Sequence, residues 1–243
     1  MIQQKSDLLP RLISKMKRTV ISIMKTIRYP KEAQYLSQAT SRMNEVIGKS
    51  SHSALKYFSC EQEYLNVSKL TDWELKRAAY TNEYVAFLSG SDQIWNPTQF
   101  SLVTRYFLRF APNEKRIAFS PSFGVSEIPI YNKRVLEKYI SEYKALSVRE
   151  SDGVRMIHDL TGKDALLLSD PVFLLEGNEW RKIAKAHSSL TIPVDRYALL
   201  YFLNAPSEAA ISYIRATQQD GCRLIEFQYT YDLCGIEKES LLN

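Results

Sequence analysis

With 243 residues, 45% of them hydrophobic and 24% charged, the chain has the composition of a folded protein with room for one large domain or two small ones, which excludes whole-chain disorder. No apolar run approaches the roughly 20 residues that a membrane-crossing helix needs, and the N-terminus lacks the apolar core and cleavage site of a secretory signal, so a cytoplasmic protein is expected. The net charge of +5 is concentrated over residues 1–50, where Lys and Arg far outnumber acids, so any electrostatic partner is expected at that end.

From Asp7 to Ile27 apolar residues recur at spacings of three and four, among them Leu12, Met16, Val20, Ile23 and Ile27, with Lys15, Lys17, Arg18 and Lys25 between them. The pattern predicts a basic amphipathic helix, with Pro10 tolerated in its first turn. Residues 7–27 either cover the sheet of the following domain or lie on the anionic inner face of a membrane. Nucleic acid is not expected as a partner, because few aromatic residues interleave with the basic ones. Arg28-Tyr29-Pro30 ends the helix, and a second runs from Lys31 to about Val46. Thr71-Asp72 then offers a cap for a short helix.

Beyond residue 80, short apolar runs alternate with helical segments, the signature of strand-helix units stacked on a parallel sheet. Strands are predicted at Tyr84 to Leu88, Arg116 to Phe119, Ala145 to Val148 and Ala165 to Leu168. Between and after them, helices are predicted at Tyr131 to Tyr143, at Asp152 to Leu160 with Ser151 as its cap and Gly162 as its stop, and at Asn178 to His187. Ser188 to Asp195 reads as a linker, followed by a strand at Tyr197 to Leu203, a helix at Pro206 to Gln219 and a strand at Arg223 to Phe227. The expected organisation is therefore a basic helical segment over 1–80, a Rossmann-like domain over 81–187, a linker over 188–195, and the start of an incomplete second domain over 196–243. Cys60, Cys222 and Cys234, with His52, His158 and His187, show no metal-ligand spacing, and no metal site is expected from them.

In parallel sheets ligands gather beyond the carboxyl ends of strands. Here the first strand runs into Gly90-Ser91-Asp92-Gln93-Ile94-Trp95-Asn96, the second into Ser120-Pro121-Ser122-Phe123-Gly124, the third into Arg149-Glu150-Ser151 and the fourth into Ser169-Asp170-Pro171. Small residues let a ligand approach the backbone, and a few charged groups orient it. Arg149 and the first amides of the helix that follows would converge on an anion, or else Arg149 pairs with Glu150 or Asp152 at the surface. Asp92 would accept from a sugar hydroxyl, align Arg149, or close a local turn. Gln93 and Asn96 suit sugar hydroxyls or loop backbone equally, and Trp95 offers a stacking face or plugs the core. Ser120 and Ser122 have no nearby general base in sequence, so neither reads as a nucleophile.

The series LSGSDQIWNP, IAFSPSFG, ALSVRESDGVRMI and LSDPVFLLEGNEW resembles the polysaccharide pyruvyl transferase family in order and spacing, over residues 84 to 203. The resemblance implies an α/β fold with a Rossmann-like parallel sheet in a two-domain, glycosyltransferase-B-like architecture, here with its second domain truncated. It further implies transfer of a pyruvyl group from phosphoenolpyruvate, the donor substrate, to a sugar or lipid-linked oligosaccharide acceptor as a cyclic ketal. No separate cofactor is implied. Arg149 matches the family's arginine after the third strand and is assigned to phosphate or carboxylate, with Gly90, Ser91, Asp92, Gln93, Trp95, Asn96, Ser122 and Ser151 as substrate contacts. Two departures set up the alternatives. Family members begin with a strand and a loop bearing Asn, Tyr, Gly and Ala, and end in a second domain with a serine, aromatic, histidine, glycine run; neither motif is found here. The chain is then an active transferase or part of one, an inactive binding remnant of the same fold, or a nucleotide-sugar glycosyltransferase.

Overall fold

A computed structural model of the chain describes residues 2–4, 8–47, 68–187, 195–202, 206–226 and 239–240. The described elements in chain order are β1 (Ile2–Gln4), α1 (Leu8–Arg28), α2 (Pro30–Ile47), β2 (Ser68–Leu70), α3 (Asp72–Tyr80), β3 (Phe87–Ser89), β4 (Arg116–Ala118), α4 (Ile130–Ser141), β5 (Ser147–Val148), α5 (Ser151–Thr161), β6 (Leu166–Leu167), α6 (Gly177–His187), β7 (Tyr197–Leu200), α7 (Glu208–Gln219), β8 (Arg223–Glu226) and β9 (Glu239–Ser240). All strand pairings among the described residues are parallel, and the fold is α/β with small parallel sheets. The chain falls into two compact units, residues 1–38 with 66–177 and residues 39–65 with 178–243.

In the first unit β3 pairs with β4 and β5 with β6. A single bridge, Ile117 to Ala145, links the two pairs, so the strands follow one another across the unit in chain order. The strands are shorter than their apolar runs predict. Among the described residues β3 has a ladder partner on one side only; Phe87 and Ser89 point into the core while Leu88 between them faces out, which is the alternation of a half-covered edge strand. The core behind the strands gathers Phe87, Trp95, Phe107, Phe123, Leu136, Ile140, Tyr143, Val148 and Ile157. α4 turns Leu136 and Ile140 into it and also buries Asn132, whose amide donates to the carbonyls of Pro97 and Gln99 at 2.6 and 2.8 Å. Burying that amide is tolerable because its hydrogen-bonding groups are paired.

Local signals set several boundaries. Thr71 and Glu74 form a reciprocal capping box on α3: the Thr71 hydroxyl accepts from the Glu74 amide at 3.2 Å, and the Thr71 amide donates to Glu74 Oε2 at 2.7 Å. Gly162, with φ 68°, ends α5 and donates its amide to the His158 carbonyl at 2.8 Å, a left-handed stop suited to glycine. The cap expected from Ser151 is a correction: Ser151 is the first helical residue of α5, Glu150 holds the cap position, and no side chain caps the amides there.

The second unit carries a sheet in the order β7-β8-β9, with Leu200, Ile214 and Leu224 at its core. Residues 188–194 of the expected linker, and Phe227 of the last expected strand, lie outside the described residues, as do Cys60, Cys234 and His52. Cys222 is buried at the start of β8. No described helix is long and apolar enough to cross a membrane.

Candidate functional site

Because β3, β4, β5 and β6 are parallel, their carboxyl ends emerge on one edge of the first unit, where a bulkier residue after β3 could not pass. A Cβ added to Gly90 would sit 1.8 Å from the Phe119 carbonyl oxygen, so only glycine lets the chain cross the end of β4. The turn then brings Ser91 and Asp92 outward. Ser120, wholly buried, braces β4 to the far strand by donating to the Ser169 carbonyl at 3.0 Å, and Ser147 accepts from the Ser120 amide at 3.0 Å.

Asp170 joins the strand ends chemically. Its Oδ2 accepts from Ser91 Oγ at 2.7 Å and from Arg149 Nη1 at 2.6 Å, and its Oδ1 accepts from the Val172 amide at 3.0 Å. Arg149 also donates from Nε to Glu150 Oε1 at 3.2 Å, and its Nη2 lies 3.8 Å from Asp92 Oδ1. Three loops, after β3, β5 and β6, thus meet on one guanidinium. The Arg149 side chain is 26% exposed and that of Asp92 89% exposed, so the cluster opens to solvent on the Asp92 side. The second oxygen of Glu150, Oε2, is buried there without a hydrogen-bond partner.

The electrostatics follow from these contacts. The Val172 amide first, then Ser91 and Arg149, hold the Asp170 carboxyl below the ordinary aspartate range against the opposing effect of burial. Burial works against the charge on Arg149, but the bonds to Asp170 and Glu150 outweigh it and raise its pKa. Arg149 is therefore a permanently charged group held in a fixed orientation, with acceptors on three sides. Such a cluster can orient hydroxyls through its carboxylates and meet one oxygen of an anion through Nη2, which lies 3.8 Å from Asp92 Oδ1, beyond hydrogen-bond distance.

The structure sorts the residues expected at the site. Arg149, Ser91 and Asp92 are brought together, and Gly90 shapes their loop. Gln93 and Asn96 pair with each other, Asn96 Nδ2 donating to Gln93 Oε1 at 3.1 Å. Asn96 Oδ1 is further taken by the Thr98 amide and hydroxyl at 3.0 and 2.7 Å, so Asn96 organises the loop, while Gln93 stays exposed. Trp95 is a correction: it is 0% exposed, stacked on Phe107 with centroids 5.6 Å apart and edge-on to Phe123 and Tyr143, which leaves no face for a sugar. Ser122 is another. Its hydroxyl is sealed in and accepts from the Gly124 amide at 3.0 Å, while its amide donates to the Asp92 carbonyl at 2.7 Å; it staples two loops together and touches no open surface. Ser151 is exposed on the first turn of α5. Asp170 and Glu150 were missing from the expected contacts. The available signal for Asp170 was positional: a Ser-Asp-Pro at the end of the fourth strand stands where Arg149 stands on the third.

A separate pocket of about 430 Å³ lies between α2 and the start of α4, lined by Lys31, Tyr35, Leu36, Thr98, Ile130 and Tyr131 among others. It shares no residue with the strand-end cluster.

The model of one family, polysaccharide pyruvyl transferase, matches residues 10–239. The chain belongs to the polysaccharide pyruvyl transferase family. The match extends far beyond residues 84–203, taking in both long basic-end helices and nearly all of the second unit. Neither curated proteins nor solved structures include a match to the chain. Within this member of the family, the strand-end cluster lies in the four sequence blocks that carry the resemblance, whereas the pocket beside α2 lies outside them.

Proposed function

We propose that the chain transfers the pyruvyl group of phosphoenolpyruvate to a sugar of a cell-surface polysaccharide precursor, closing a cyclic ketal, and that the Arg149–Asp170 cluster is part of its active site. The observation that supports this reading most is the meeting of three strand-end loops on Arg149 through Asp170 in a member of this family. In the reaction, the donor's methylene carbon gains a proton and its C2 becomes electrophilic. One sugar hydroxyl adds to C2 and loses its proton. The C2–O bond to phosphate breaks, a second hydroxyl adds and loses its proton, and the products are ketal and inorganic phosphate.

In this reading Arg149 meets the donor's phosphate or carboxylate, and Asp170 with Ser91 fixes the guanidinium in place. A preset donor of this kind acts on charge that grows at the leaving phosphate without reorganising first. Asp92, exposed on the same rim, accepts from an acceptor hydroxyl and raises its nucleophilicity. We read the parallel strands of the first unit as one Rossmann-like half of a glycosyltransferase-B-like architecture.

The test is phosphate release measured together with ketal formation from phosphoenolpyruvate and a panel of sugar and lipid-linked acceptors. The two products should form in equal amounts, and Arg149→Ala should lower kcat/KM by at least about a hundredfold. Ketal formation that is indifferent to Arg149→Ala would remove the cluster from the active site; turnover of nucleotide sugars in place of phosphoenolpyruvate would replace the donor.

A further inference from the structure

α1 is docked by its polar side. Lys25 Nζ donates to the Phe100 carbonyl at 2.7 Å and to Asn132 Oδ1 at 2.6 Å, and the Tyr29 ring beyond the helix end packs against Tyr131 with centroids 5.5 Å apart. At 100° per residue, Ser22, Lys25 and Tyr29 share one side, and these are positions where the helix and its end are partly covered. The apolar stripe lies on the opposite side. Leu12, Met16, Val20, Ile23 and Ile27 are all exposed, Met16 to 66% and Ile27 to 78%.

A helix of a water-soluble domain turns such a stripe toward the core. Here the body of the first unit takes the lysine side and leaves the stripe outward, an arrangement that implies another apolar phase. Charge identifies it. Between Leu8 and Arg28 the sequence places Arg11, Lys15, Lys17, Arg18, Lys25 and Arg28, and no acidic residue. Lys17 and Arg28 fall on one border of the stripe and Lys15 beside the other, positions from which long cationic side chains reach headgroups while their stems lie on the apolar surface. Pairing with a second copy of α1 would set these cations against one another with no carboxylate between them, which disfavours association. Lipid phosphates supply the missing counter-charge.

We propose that α1 lies in the plane of an anionic membrane surface, its Leu12–Ile27 stripe in the acyl boundary and the flanking Lys15, Lys17 and Arg28 among the headgroups, with the folded unit held above the surface through Lys25. The inference is independent of the chemistry assigned to Arg149.

The experiment is flotation of the full chain with vesicles of equimolar phosphatidylglycerol and phosphatidylcholine, beside pure phosphatidylcholine vesicles, at low and high salt. The chain should float with the anionic vesicles at low salt and stay behind in the other conditions. Lys15→Gln with Lys17→Gln, the cations on the two borders of the stripe, should weaken partitioning about twenty-fivefold, at roughly fivefold per cation near an anionic surface. Ile23→Ser with Ile27→Ser should abolish it, and because both side chains are exposed the circular dichroism and melting of that variant should match the parent. Folded protein that fails to float, flotation unchanged by both double variants, or a stripe-dependent dimer in sedimentation that floats on neither vesicle would overturn the proposal.

Discussion

Two arginine–carboxylate clusters lie at opposite ends of the strands in the first unit, built from the same chemistry to different ends. At the amino end of β4, Arg116 is buried, donates twice to the Ala111 carbonyl at 2.8 and 2.5 Å, and meets Glu142 Oε2 at 2.7 Å. Arg109 bonds the same Glu142 oxygen and lies over the Tyr139 ring at 4.8 Å. At the carboxyl end of β5, one guanidinium, Arg149, faces three carboxylates and stays partly open. The first cluster has two cations on one acid, its Arg116 sealed and its donors satisfied by backbone. The second has acceptors to spare and a path to solvent. An ion cluster that is closed and paired has little left to offer a ligand, whereas an open one whose groups are held by neighbours is preorganised for binding.

That contrast can be broken at the closed cluster first. Glu142→Ala leaves the buried Arg116 guanidinium facing no carboxylate and should cost about 3 to 5 kcal/mol of stability in urea unfolding, with the activity of the remaining folded protein unchanged. Next in size is Arg149→Ala. Its expected effect on kcat/KM, at least about a hundredfold, corresponds to ~2.7 kcal/mol of transition-state stabilisation, while its effect on unfolding should be well below that of Glu142→Ala because it strands no buried cation without a carboxylate. Smaller again is Ser91→Ala, which removes one hydrogen bond to Asp170 and should lower kcat/KM by about five- to tenfold, near the ~1 kcal/mol of a single such bond.

The pH dependence sharpens the comparison. Burial works against the charge on Glu142, but its bonds to Arg109 and Arg116 hold its pKa below the ordinary range, and Asp170 is held low by the contacts described above. A carboxyl whose folded pKa lies below its unfolded one stabilises fully above the unfolded value, about 4, and that stabilisation is lost as pH falls through the folded value. Urea midpoints measured down a pH series should therefore fall below about pH 4. Glu142→Gln should flatten that fall more than Asp170→Asn, because Glu142 faces two arginines, one of them the buried Arg116.

Much of this was legible in the sequence. The order of elements after residue 80, their parallel arrangement and the capping of α3 follow from periodicity and turn chemistry. The loop after β3 could be recognised as unusual because it carries more polar and small residues than a connection needs. Trp95 shows where such reading runs out: a tryptophan in a polar loop has the same sequence signature whether it faces a ligand or a core, and only the packing of Phe107, Phe123 and Tyr143 around it decides. Ser122 is the same lesson for a hydroxyl, since its partners come from backbone distant in sequence. Asp170 was hidden for the opposite reason. Its role depends on Ser91, 79 positions away, a pairing no local pattern encodes. The periodicity of α1 located its apolar stripe correctly but carried no information on which side would meet the body, because that is set by Lys25 reaching Asn132 on α4.

The most direct test of the contrast measures unfolding free energy and kcat/KM for ketal formation on the same preparations of Arg149→Ala and Glu142→Ala. Crossed results are expected, activity lost with stability kept in the first, stability lost with folded-state activity kept in the second. Undiminished ketal formation by folded Arg149→Ala would contradict it.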